Sequence, residues 1–185
     1  MFPMERTQQT YERIAPDYAR RTMDRRPLTA DYGRFLSLLE DEHGQISHDY
    51  PLLDVGCGPG YDTGHFVSSG WRTIGVDLSA TMIRLGCQLK PDLMSHDFVQ
   101  ADMGRLPFGG GQIAGIWLCA SLLHIPREMV PAVLSELQRV LLPRGVMCVS
   151  VKEGDGESWS EGAYGSDEPR FFAYWQGETL DPVLR

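Results

Sequence analysis

The sequence predicts an α/β chain built on a mostly parallel sheet with helices on both faces. Three observations carry this. Short apolar runs alternate with helical patterns from Leu52 to Val151. The runs are apolar almost throughout, as strands covered on both faces require. A glycine-rich turn at Gly56, Gly58 and Gly60 follows the first run and opens a helix. Right-handed crossovers would then place a ligand crevice at the carboxyl ends of the strands.

Each element has its own signal. From Thr7 to Ala19, residues Tyr11, Ile14, Ala15 and Tyr18 stand at i, i+3, i+4 and i+7, one face of a helix. Pro16 lies inside that pattern and predicts a break or two short helices. Asp31 to Glu40 is a second amphipathic helix, and Asp41 to Tyr50 is a polar loop closed by Pro51. Leu52 to Val55 is the first strand and Tyr61 to Ser69 a short helix. Trp71 to Leu78 holds the second strand, after which Ser79 can cap a helix through Met82, Ile83, Leu85 and Leu89. Asp97 to Ala101 and Ile113 to Cys119 are the third and fourth strands. Met129 to Leu141 is a long helix ended by Pro143-Arg144-Gly145, and Val146 to Val151 is the fifth strand. Glu153 to Pro169, rich in Gly, Ser, Asp and Glu, is a loop. Arg170 to Trp175 is a short apolar return, and Gly177 to Arg185 can begin a helix.

The chain has 185 residues, which suits one domain with or without a decoration, and needs no metal or disulfide staple. A net charge of −8 argues against a sequence-independent grip on nucleic acid, which needs a positive field over phosphates. No apolar run approaches the roughly 20 residues that span a bilayer. Met1 to Arg26 is charged, with no apolar segment of a secretory signal. Cys57, Cys87, Cys119 and Cys148 make no CxxC pair, so a metal cluster is not expected. They read as small buried hydrophobes in a reducing compartment, and the cytoplasm is the expected location.

The chemistry lies at the strand ends. In Leu53-Asp54-Val55-Gly56-Cys57-Gly58-Pro59-Gly60 the third glycine is at 60 and Tyr occupies 61, unlike the dinucleotide pattern G-x-G-x-x-G. Asp54 beside the loop would repel a pyrophosphate and suits a cation or an amine. Asp77 ends the second strand 21 residues after Gly56, where a carboxylate can accept both hydroxyls of a ribose. Leu78 and Met82 can flank a flat ring.

The segments D-V-G-C-G-P-G at 54–60, V-D-L-S-A-T-M-I at 76–83, Q-A-D-M-G-R-L-P-F at 100–108, W-L-C-A-S-L-L-H at 117–124 and V-L-S-E-L-Q-R-V-L-L-P-R-G at 133–145 together resemble the class I S-adenosylmethionine-dependent methyltransferases of the small-molecule group. The resemblance covers roughly residues 50 to 152. It implies a Rossmann-like three-layer α/β/α fold of strand order 3-2-1-4-5. It also implies an N-terminal helical lid over 1–48, an S-adenosylmethionine-binding core over 49–152, and an irregular tail over 153–185. By the same resemblance, Asp102 meets the adenine amino group and the Met103 backbone amide a ring nitrogen. Cys119 lies where the methionine part is held, and Asp54 lies near its amino group. Gly56, Cys57, Gly58 and Gly60 form the cofactor loop, and Tyr11 and Tyr18 belong to the lid that closes over it.

The implied reaction is methyl transfer from S-adenosyl-L-methionine, leaving S-adenosyl-L-homocysteine, to a small-molecule acceptor. Positioning can supply most of the acceleration. For a hydroxyl or acidic-carbon acceptor, His124 after strand four is the candidate general base; a histidine hydrogen-bonded to backbone is the competing reading. His65, inside the first crossover helix, reads as structural. The segment after strand four lacks an Asn-Pro-Pro-Tyr-like run, which lowers nucleic-acid substrates. Two other readings remain open: a non-catalytic cofactor-binding or scaffold protein, and an NAD(P)-dependent oxidoreductase on a similar sheet. Resembling proteins usually add an antiparallel hairpin beside strand five, which here is expected to be shortened or missing. Unless Arg170 to Arg185 folds back, strand five is an unpaired edge and predicts self-association.

Overall fold

In the computed structural model, which describes residues 3–40, 49–89, 98–160 and 169–184, the apolar runs pair as parallel strands. They are β1 (Leu52–Val55), β2 (Thr73–Asp77), β3 (Phe98–Gln100), β4 (Ile113–Cys119) and β5 (Leu141–Ser150). Their order is β3-β2-β1-β4-β5, all parallel, with Leu52 of β1 opposite Thr73 on one side and Gly115 on the other. The helices are α1 (Pro3–Thr22), α2 (Thr29–Leu39), α3 (Tyr61–Ser68), α4 (Ala80–Leu89) and α5 (Val130–Val140). The polar stretch 41–48 lies outside the described residues.

Successive strand residues point to opposite faces, so the sheet feeds two cores. Leu53, Val55, Ile116 and Leu118 pack with Val130, Val133, Leu137 and Val140 of α5. Leu52, Ala114 and Trp117 pack on the other face with Tyr32, Phe35 and Leu39 of α2 and Phe66 of α3. The α5 stripe recurs at helical spacing, which is why that helix is legible in the sequence. Ser79 caps α4 as its spacing predicts, its Oγ accepting the Met82 N–H at 3.1 Å.

Three expectations are corrected. α1 runs unbroken through Pro16. An interior proline costs about 3 kcal/mol by removing a hydrogen bond and crowding the preceding turn. Here Pro16 sits on the exposed face, and buried Ile14, Ala15 and Ala19 anchor the helix on both sides of it. The turn Pro143-Arg144-Gly145 does not precede the fifth strand but lies inside it. β5 starts directly after α5, and the β4–β5 register slips there, with Arg144 at φ 70°. The tail is more ordered in pattern than its composition implies. It forms β6 (Lys152–Glu153), β7 (Glu157–Ser160), β8 (Arg170–Trp175) and α6 (Gly177–Leu184).

The C-terminal hairpin is thus present, as antiparallel β7–β8, but in a separate small sheet of order β6-β8-β7 rather than beside β5. Phe171, Phe172, Ala173 and Trp175 bury β8, which packs against α1. Thr10 Oγ1 donates to the Pro169 carbonyl at 2.6 Å, and the Phe171 N–H donates to Thr7 Oγ1 at 3.0 Å. On its other side α1 is tied to the core: Gln8 Nε2 donates to the Leu78 carbonyl at 3.0 Å, and the Thr81 N–H donates to Glu12 at 3.2 Å. α1 therefore joins tail to core above the strand ends. Among the described residues, no helix is long and apolar enough to cross a membrane.

Candidate active site

A cleft opens at the carboxyl ends of β1, β2 and β4, roofed by α1. Its empty space, open solvent at the mouth included, is about 790 Å³. Its floor begins at the glycine turn. Gly56, Gly58 and Gly60 have φ of 75°, 54° and 72°, a region that residues bearing a Cβ adopt at a cost. A Cβ on Gly56 would stand 2.2 Å from that of Ser121, whose Oγ donates to the Val55 carbonyl at 2.7 Å. The turn after β4 therefore lies against the turn after β1, and only glycine fits between them.

Asp77 closes this floor. Its carboxylate is at the cleft wall and accepts the Gly58 N–H at 2.8 Å and the Ser79 N–H at 2.7 Å. Burial pushes its pKa up, while those backbone donors oppose the shift. Each carboxylate oxygen has a second lone pair, so the group can still accept hydroxyl donors from a ligand. Leu78, Met82, Asp102 and Met103 continue the same wall. Asp102 also accepts the Gly104 N–H at 2.8 Å, which sets the turn after β3.

Opposite them stand Tyr11 and Tyr18 of α1 and His124 after β4. The Tyr11 and Tyr18 rings meet edge to face at 5.4 Å. His124 is held at both nitrogens: Nδ1 is 2.7 Å from the Phe171 carbonyl and Nε2 is 2.8 Å from the Tyr11 hydroxyl. Burial, with the charges of Arg170 and Lys152, lowers its pKa to about 4, against the pull of the Phe171 carbonyl.

Cys57 and Cys119 line a smaller adjoining cavity, together with Tyr18, Gly56 and Arg25. Burial raises both thiols above their ordinary pKa, so neither is an activated nucleophile. Asp54 and Gly60 line neither cavity. Gly60 starts α3 in the left-handed conformation. Asp54 is buried behind the loop, where it accepts from Thr63 Oγ1 at 2.7 Å. Burial, then the neighbouring Asp62, pushes its pKa up. Asp54 thus braces the loop from behind. His65 stacks on Tyr32 at 4.0 Å, a packing role.

Sequence reasoning missed several wall residues. Met4, Thr7 and Gln8 share the face of Tyr11 and Tyr18, so extending the helical pattern upstream would have found them. Ser121 and Ala120, the latter at φ 52°, carry no such signal. Nor does the knot at Asp62, which accepts Arg25 Nε at 2.6 Å, Trp117 Nε1 at 3.0 Å and the Tyr32 hydroxyl.

A parallel sheet of order 3-2-1-4-5, with a left-handed glycine turn and a buried acid at adjacent strand ends, defines the class of nucleoside-binding α/β proteins. A model of the methyltransferase-domain family matches residues 52–145, so the chain belongs to that family. Malonyl-[acyl-carrier protein] O-methyltransferase of Enterobacter lignolyticus is 26% identical over 135 residues, 72% of this chain and 52% of that protein. The chain thus spans about half the length of that relative. The DhpI–S-adenosylhomocysteine complex superposes with a TM-score of 0.71 at 19% identity, covering 98% of this chain and 85% of the other. The Burkholderia thailandensis 1,6-didemethyltoxoflavin-N1-methyltransferase gives 0.62 at 22% identity, covering 100% and 78%. At these identities the two structures establish a shared fold.

Proposed function

We propose that this chain transfers the methyl group of S-adenosyl-L-methionine to a small-molecule acceptor by in-line displacement. The observation that carries the reading is the half-buried Asp77 carboxylate, set at the cleft by the Gly58 and Ser79 amides beside a turn that excludes any Cβ at Gly56. The residues present fit a cationic nucleoside. Among the described residues lining the cleft there is no Lys or Arg. Leu78 and Met82 offer apolar contact to a base, and Asp77 offers acceptors to ribose hydroxyls.

When bound, the cofactor supplies a methyl group on a sulfonium, which is already an activated donor. The protein then has to hold the acceptor in line, exclude water and accept a proton where the acceptor has one to lose. α1 roofs the cleft and shields it. His124 is the base at the wall, kept neutral by burial and held by the Phe171 carbonyl. The support for a small acceptor is the enclosed cleft beneath α1 and the net charge of −8.

Calorimetry with S-adenosylhomocysteine and NADH tests this reading. Binding of the thioether and not of NADH is expected. Asp77→Ala should weaken it by at least about tenfold, since hydrogen bonds to a charged group contribute roughly 1.5–3 kcal/mol. Unchanged affinity in that variant would remove the ribose assignment.

A further inference from the structure

We propose that Tyr11 is the residue that touches the acceptor, that it passes the acceptor's proton to His124, and that the acceptor is a neutral hydroxyl group. The inference rests on the methyltransferase reading and adds to it the substrate class and a second catalytic residue.

The argument starts from hydrogen-bond direction. The Phe171 carbonyl can only accept, so His124 Nδ1 carries a proton. In the neutral ring Nε2 is then an acceptor, and the Tyr11 hydroxyl 2.8 Å away must donate to it. With its proton directed at His124, the Tyr11 oxygen meets other donors through its lone pairs. Tyr11 and His124 both line the cleft. The charged groups near the pair come from the tail. Arg170, itself buried, donates through Nη1 to the Tyr11 oxygen at 3.4 Å. Burial, with the charges of Arg170 and Lys152, opposes a proton resting on His124, so the ring is neutral at neutral pH.

Such a pair suits one kind of acceptor. A carboxylate is already ionised at neutral pH and has no proton for the pair to take. An alkylamine arrives at neutral pH as an ammonium, a cation that the buried Arg170 beside Tyr11 disfavours. A hydroxyl is a poor nucleophile until its proton leaves, and here it has a path. As the acceptor oxygen bonds to the methyl carbon, the carbon–sulfur pair returns to sulfur. The hydroxyl proton moves to the Tyr11 oxygen while the Tyr11 proton moves to His124 Nε2. The resulting imidazolium, destabilised by Arg170 and Lys152, then yields one proton to water.

The test compares phenol, hexylamine and benzoate as acceptors with S-adenosylmethionine, reading S-adenosylhomocysteine release. Turnover is expected with the phenol in preference to the other two. Tyr11→Phe and His124→Asn should each lower kcat about 100-fold, the lower end of general-base effects, with S-adenosylhomocysteine affinity nearly unchanged. The wild-type kcat profile should be flat from about pH 6 to 8, lacking the ordinary histidine ionisation near 6.5. Preference for benzoate or hexylamine overturns the proposal, as does full turnover in Tyr11→Phe, or no turnover in a wild type that binds the thioether. Failure of the wild type to bind the thioether defeats the methyltransferase reading instead. The relay is then decided by ¹⁵N NMR of His124. A protonated Nδ1 with bare Nε2, perturbed in Tyr11→Phe, supports it, and the opposite tautomer overturns it.

Discussion

At the residue scale, the two carboxylates at adjacent strand ends do different work because one faces the cleft and one does not. Asp77 and Asp54 both end strands in the sequence. Only Asp77 reaches the cleft wall, whereas Asp54 turns inward to Thr63. Burial and the nearby Asp62 raise the Asp54 pKa above the ordinary carboxylate range. In that window the folded protein holds a proton that the unfolded chain releases, so stability falls as pH rises. Asp54→Asn keeps an acceptor for Thr63 and abolishes this titration. Its melting temperature relative to the parent should therefore climb from pH 5 to pH 8, by a slope of at most about 1.4 kcal/mol per pH unit for one proton. A difference independent of pH would show that Asp54 ionises normally. The strand-end position of Asp54 was legible in the sequence. Its direction was not, because it depends on where α3 places Thr63.

At the element scale, α1 shows tertiary packing prevailing over local propensity. The helical face at Tyr11, Ile14, Ala15 and Tyr18 is read correctly from spacing; the break at Pro16 is not. The proline's lost hydrogen bond falls on the solvent side, and buried neighbours hold the axis. Pro16→Ala restores an N–H for the Glu12 carbonyl without touching the core. It should stabilise the fold by about 1–3 kcal/mol, less whatever the more flexible unfolded chain takes back, as measured by urea unfolding. A loss of stability would mean that the proline is matched to a local distortion of α1. The same helix explains why the tail matters. Thr7 and Thr10 bind β8, and β8 supplies the Phe171 carbonyl that orients His124. A residue after β4 is thus tuned by a strand nearly fifty positions later, a relation that no local pattern carries.

At the scale of the whole molecule, the parallel sheet ends at β5. The segment after Pro169 does fold back, but it joins the small sheet and α1, so β5 pairs with β4 alone among the described residues. An open edge is a template for another chain, tempered here by Pro143 and the bulge at Arg144. Concentration-dependent association is expected in size-exclusion chromatography with light scattering, and a strictly monomeric profile at all concentrations would refute it. The sequence by itself determined the sheet, its helices and about half of the cleft wall. Those features rest on periodic apolar burial and on a glycine turn, both of which are local. The tertiary structure alone decided that α1 stays whole, that the tail hairpin leaves β5 and covers α1, and that Tyr11 meets His124. These outcomes depend on contacts between residues far apart in the chain, whose energies exceed the local preferences that sequence patterns record.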